Sequence, residues 1–152
     1  MTIYLVRHAK AGNRRAWQGE DYLRPLPPSG QRQAKALAAM LVDSGVERII
    51  SSSYVRCRQT VDPLAQPLRL PVELSDALAE GARVTETMRL IDKVVMATTV
   101  LCTHGDVIAN VLEYLRKHSV PLDDDRLEKG SVWVLETSDT EITAGHYIAP
   151  PA

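Results

Sequence analysis

The chain has 152 residues, 45% of them hydrophobic and 24% charged, with a formal net charge of -1 at pH 7. This is an ordinary globular composition, long enough to bury one core, so a single domain over residues 1–152 is expected. Near-neutral charge with no basic block and no aromatic–basic interleaving argues against a nucleic-acid surface. The longest apolar stretch, Val94 to Cys102, contains two threonines and is too short to cross a bilayer.

In chain order, Ile3-Tyr4-Leu5-Val6 reads as a strand that begins almost at Met1, leaving no room for a signal peptide and predicting a cytoplasmic protein with no membrane partner. The segment Ala9 to Pro28 is rich in Gly, Pro and charge. It exceeds the roughly 12–15 residues beyond which unstructured connections are usually functional or disordered, so it is read as a rim over a site. Ala34, Leu37, Ala38 and Leu41 have helical spacing, with Ser44-Gly45 as the stop and either Pro28 or Ser29 as the start. A strand follows over Arg48 to Ser51. Next comes a helix after Ser53 carrying Val61, Leu64, Ala65 and Leu68, in which Pro63 predicts a kink or an early end.

Leu70 to Leu74 reads as a short strand, Ser75 to Ala82 as a loop and Thr85 to Val95 as a helix. Val100-Leu101-Cys102-Thr103 is a strand running into His104-Gly105, and Ile108, Val111, Leu112 and Leu115 stripe the helix beyond. The run Asp123-Asp124-Asp125 lacks spaced metal ligands and is taken as a solvated loop. Ser131 to Glu136 and Glu141 to Ile148 alternate as an antiparallel hairpin at the sheet edge. Alternating strands and helices predict an α/β fold, three-layer α/β/α with a mostly parallel central sheet and an antiparallel edge strand.

Strand-to-helix corners of a parallel sheet lie at its ligand-binding edge. Two of them end on histidines, Arg7-His8 and Thr103-His104, and Arg56 stands just past a third strand. Two histidines and two arginines facing one cavity describe a phosphate site. Lys10, Arg14, Arg15 and Arg24 in the rim segment either draw an anionic substrate inward or decorate a solvated loop. Cys57 and Cys102 are far apart, in no metal-like spacing, and fit a reducing compartment. A cysteine-nucleophile phosphatase wants an arginine six residues past its cysteine, where Pro63 and Ile108 stand.

Arg7-His8 after the first strand, the stretch from Ser51 to Thr60 containing Arg56, and Thr103-His104-Gly105 resemble the three signatures of the histidine phosphatase superfamily, which includes the cofactor-dependent phosphoglycerate mutases. Asp21 to Leu26, with Gly30 beyond, resembles the short SixA-like phosphohistidine phosphatases. Lys129 to Leu135, with the helix around Arg56, is also similar to the phosphatase half of actinobacterial fusions with a MutT-type Nudix hydrolase.

The resemblance implies a phosphoglycerate mutase-like fold and a phosphatase acting on phosphohistidine or small phosphomonoesters, without metal or cofactor. His8 is the expected nucleophile, since an imidazole with reference pKa about 6.5 is neutral and reactive near pH 7. Arg7 and Arg56 hold phosphoryl oxygens bidentately, while His104 and the peptide N–H groups at Gly105 donate to others. Asp21 and Arg24 are expected beside the substrate. For the leaving group, Glu80 is the expected general acid by its loop position, with Asp21 the other candidate and no acid at all needed if the substrate is phosphohistidine. His118 and His146 are expected to be non-catalytic, and Arg58 to be structural. Two alternatives remain open: a mutase, which would need enclosing insertions that this short chain has little room for, and a non-catalytic phospho-ligand binding module.

Overall fold

A computed structural model describes residues 1–151. Its six strands are β1 (Thr2–Arg7), β2 (Arg48–Ser51), β3 (Val72–Leu74), β4 (Thr99–Thr103), β5 (Val132–Ser138) and β6 (Glu141–Ile148). The helices are α1 (Pro28–Leu41), α2 (Val55–Leu68), α3 (Val84–Val94) and α4 (Gly105–Lys117). Strand order in the single sheet is β3-β2-β4-β1-β5-β6. The first four of these strands pair in parallel, whereas β5 is antiparallel to both β1 and β6.

Residue alternation in the strands builds two separate cores. Ile3 and Leu5 of β1 join Ile50, Leu101, Trp133 and Leu135 under α3 and α4. Val6 points the other way and joins Ile49, Val100, Cys102 and Val132 under α1 and α2. This is the expected three-layer α/β/α arrangement. Strand β4, flanked on both sides and covered on both faces, is buried along its whole length. The chain leaves β1 toward the face of α1 but leaves the adjacent β4 toward the face of α4. A crevice therefore opens at the carboxyl ends of these two strands, the topological switch point where such sheets bind ligands.

Local departures from expectation have local causes. Pro28 rather than Ser29 opens α1, behind Pro27 and without a side-chain cap; its missing N–H is one the first turn does not need. Helix α2 runs through both Pro63 and Pro67 to Leu68, so no early end occurs. Burial of Cys57, Val61, Leu64 and Ala65 against the sheet outweighs the lost backbone bonds. Leu70 does not start β3, because its N–H caps α2 by donating to the Ala65 carbonyl at 3.1 Å. Gly30 is required by close approach: a Cβ there would lie 2.0 Å from the Lys10 carbonyl oxygen, where the rim segment crosses α1. The aspartates after α4 bind protein groups, Asp123 accepting from the Tyr147 N–H at 2.8 Å and Asp124 from the Arg126 guanidinium at 2.7 Å.

Candidate active site

The corner after β1 is fastened from three sides. The Arg7 N–H donates to Ser131 O at 3.1 Å, the His8 N–H to Thr103 O at 3.0 Å, and the Gly130 N–H to Arg7 O and His8 O at 3.1 and 3.0 Å. Thr60 of α2 accepts from the Ala9 N–H at 2.9 Å while its hydroxyl donates to Arg56 O at 2.7 Å. His8 is thus held by backbone geometry, not by a partner side chain. Its Nδ1 lies 2.8 Å from the Ala9 carbonyl oxygen. A carbonyl only accepts, so Nδ1 carries the proton and Nε2 the lone pair. His8 is 5% exposed, and burial, with the positive fields of Arg56 and Arg7 added to it, pushes its pKa down to about 3.

Arg7 donates from Nη1 to Leu127 O at 2.8 Å. Its guanidinium lies flat against the start of α4, where a Cβ on Gly105 would come within 2.8 Å of the Arg7 Cζ. Arg56, 1% exposed, donates from Nη1 to Asp21 O at 2.9 Å and from Nη2 to Asp21 Oδ2 at 3.1 Å. His104 precedes the first turn of α4, its ring 5.5 Å from that of His8 and edge-on to it. Ser52 Oγ lies 2.9 Å from His104 Nε2 and Cys57 Sγ 3.6 Å from it.

Arg7, His8, Arg56 and His104 line one cavity of about 500 Å³, together with Arg24, Glu80 and Gly105. Among the described residues, four buried side-chain polar atoms have no partner, and three of them are Arg7 Nε, Arg56 Nε and His104 Nδ1. Buried donors are normally satisfied, so three orphans on three cavity-lining residues describe a cradle for an anion with several oxygens.

The two acidic candidates occupy different positions. Glu80 is on the cavity wall, its Oε2 3.7 Å from Arg56 Nη2 and its Oε1 3.5 Å from Arg14 Nη2. Asp21 does not line the cavity. It lies behind Arg56 and accepts from Arg24 Nε at 3.0 Å. Partial burial alone would raise its carboxyl, but the guanidinium groups of Arg24 and Arg56 hold it below the ordinary carboxylate range. The rim cations divide similarly: Arg14 and Arg24 reach the cavity, whereas Lys10 lines a separate recess with Arg32 and Arg15 is exposed.

His118 stacks on Tyr114 at the end of α4, and His146 sits between Asp123 and Glu136 on β6. Both are outside the cavity, and Arg58 is exposed beside Asp62. Sequence reasoning missed Asp106 and Lys129. Asp106 lines the cavity and accepts from the Gly81 N–H at 2.8 Å, tying the Glu80 loop to α4. Lys129 also lines the cavity; burial and then Arg7, Arg24, Arg14 and Arg56 depress its pKa.

The fold recurs in known proteins. A curated 8-oxo-(d)GTP phosphatase of Mycolicibacterium smegmatis is 35% identical over 156 residues, covering 99% of this chain but 48% of that protein, so the chain spans about half of this relative's length. The solved structure of the protein histidine phosphatase SixA complexed with tungstate superposes with a TM-score of 0.77 at 17% identity, covering 98% of this chain and 95% of that one. A Nakamurella multipartitia protein with the SixA phosphohistidine phosphatase designation gives 0.74 at 26% identity, covering 99% and 96%. Residues 3–82, more than half of the chain, match the family model itself, and the chain belongs to the histidine phosphatase superfamily, branch 1.

Proposed function

We propose that the chain hydrolyses phosphohistidine or small phosphomonoesters through a phosphoenzyme on His8 Nε2. The observation that carries this reading is a neutral, backbone-oriented imidazole beside three orphaned buried donors. His8 Nε2 attacks phosphorus in line. Arg7 and Arg56 bind the equatorial oxygens and take up the charge that spreads onto them in the transition state. Ser52 and Cys57 both sit where they can donate to His104 Nε2, which keeps the proton on Nδ1 for a third oxygen. Asp21 fixes the Arg56 fork from behind. Glu80 protonates a departing alkoxide and then takes a proton from the water that attacks the phosphohistidine. The SixA relatives and the M. smegmatis relative support phosphohistidine and nucleotide phosphates as substrate classes.

The test is turnover of 4-nitrophenyl phosphate together with trapping of the intermediate. Wild type should yield a protein-bound phosphoryl group that is labile in acid and stable in base, and His8→Ala should yield neither intermediate nor turnover. Hydrolysis that persists in the alanine variant overturns the mechanism. Binding without turnover would support a phospho-ligand module, and return of the phosphoryl group to a bound alcohol rather than to water would support a mutase.

A further inference from the structure

Two features of the site have no use in hydrolysing a plain monoester. The cavity wall carries five cations, Arg7, Arg14, Arg24, Arg56 and Lys129, against two carboxylates, Glu80 and Asp106. Arg7 and Arg56 suffice for one phosphoryl group, and Arg24 is neutralised by Asp21. Lys129 is different: it is exposed at the edge of the cavity that it lines, and no carboxylate lies within 4.0 Å of it among the described residues. A cavity-lining cation with no carboxylate partner is available to a second anionic group on the ligand.

The second feature is a recess of about 220 Å³ that shares Gly12, Asn13 and Arg24 with the phosphate cavity. Its remaining walls are apolar, formed by Trp17, Leu26 and the prolines at 25 and 27. Trp17 is 37% exposed yet fixed, its Nε1–H donating to Glu20 O at 2.9 Å. One side of its ring lies against Gly19, where an added Cβ would come within 3.1 Å of the indole. A preset, partly exposed indole above an apolar floor is a stacking platform for a flat ring. Because the recess adjoins the phosphate cavity across these three shared residues, a ring in it and phosphates in the cavity can belong to one molecule.

The geometry points to a nucleoside 5′-diphosphate as the substrate class, an inference that rests on the phosphatase reading above. The terminal phosphoryl group occupies the Arg7–Arg56–His104 cradle, the inner phosphate meets Lys129 and Arg14, and the base lies on Trp17. His8 Nε2 forms a bond to the terminal phosphorus as the bond to the bridging oxygen breaks. The electron pair leaves with the nucleoside monophosphate. Water then attacks the phosphohistidine, the P–N electron pair returns to Nε2, the proton from water passes to Glu80 and on to solvent, and inorganic phosphate departs.

Binding tests this without requiring turnover. An α,β-methylene nucleoside diphosphate, whose bridge resists cleavage, should bind wild type at least about tenfold more tightly than base-free methylenediphosphonate and should quench indole fluorescence. The other tryptophan, Trp133, is fully buried. Trp17→Phe should abolish the quench, Trp17→Ala should erase the affinity advantage of the nucleotide, and Lys129→Met should weaken both ligands about tenfold or more. Equal affinity of the two ligands for wild type, or an advantage that survives Trp17→Ala, overturns the inference. Failure to form a phosphoenzyme from 4-nitrophenyl phosphate would instead overturn the phosphatase reading, and leaves the binding comparison decisive for this one.

Discussion

Replacing Glu80 by Gln keeps size and hydrogen bonding but removes the transferable proton. A positioned general acid contributes about 10²–10⁴-fold where the leaving group needs protonation. The Glu80 side chain is 38% exposed, so water reaches the same oxygen and can substitute in part; the loss on an alkyl phosphate should fall near the lower limit, about 10²-fold, equivalent to about 2.7 kcal/mol of barrier. The 4-nitrophenolate of 4-nitrophenyl phosphate leaves unaided, so kcat/KM for that ester should change by less than about threefold. The assay is therefore the ratio of kcat/KM for methyl phosphate to that for the aryl ester. Asp21→Asn is the control, because Asp21 touches Arg56 and Arg24 and does not line the cavity. It should slow both substrates and leave their ratio unchanged. A ratio that collapses in Asp21→Asn and survives in Glu80→Gln would transfer the acid role to Asp21. A ratio unmoved by either variant would leave the enzyme without a dedicated acid and favour a leaving group that needs none.

Arg56→Ala should lose at least about 10²-fold in kcat/KM, the scale of one transition-state donor, and Arg58→Ala less than about threefold; equal losses would show that the α2 register is misread. Gly105→Ala should push the Arg7 guanidinium off the start of α4 and cost about tenfold or more in kcat/KM at little cost in Tm; an unimpaired variant would mean that Arg7 has no fixed post. Stability should fall on acidification. Above about pH 6.5 His8 is neutral folded and unfolded, but between there and about 3 only the unfolded chain takes up its proton, which costs at most about 1.4 kcal/mol per pH unit. Denaturant melts at pH 7, 6 and 5 should show a shallower fall for His8→Asn than for wild type, and identical slopes would refute the burial argument.

The proposed phosphate cradle was readable because its residues sit on strand ends. An apolar run followed by helical periodicity locates a corner, and Arg7, His8 and His104 stand directly on such corners. Arg56 was readable from its offset past β2. Residues whose relevance depends on sheet order were not. Lys129 lies far along the chain and reaches the cavity because β5 pairs beside β1, a neighbour relation that no local pattern encodes. Asp106 reads from sequence as an ordinary acidic residue in a helix's first turn, and its bond to the Gly81 N–H joins segments 25 residues apart. The recess under Trp17 belongs to a segment without periodicity, and the close approach of Gly30 in α1 to the Lys10 carbonyl, which helps to fix that segment, is encoded by no local pattern. Pro63 allowed a kink or an early end, and tertiary burial removes the early end: α2 continues through it to Leu68.

The placement of β1 sets the order in which this protein can be made. Its neighbours in the sheet are β4 and β5, so β1 finds its partners only when residues 99–103 and 132–136 have followed it out of the ribosome. Until then the strand that leads into His8 has two open edges, and the carbonyls of Arg7 and His8 wait for the Gly130 N–H. Such long-range closure makes for slow folding. A nascent chain stalled or cleaved before Gly130 would contain Arg7, His8, Arg56 and His104 yet have no fixed corner to hold them, so the proposed cradle forms only once residue 130 has followed, and then all at once.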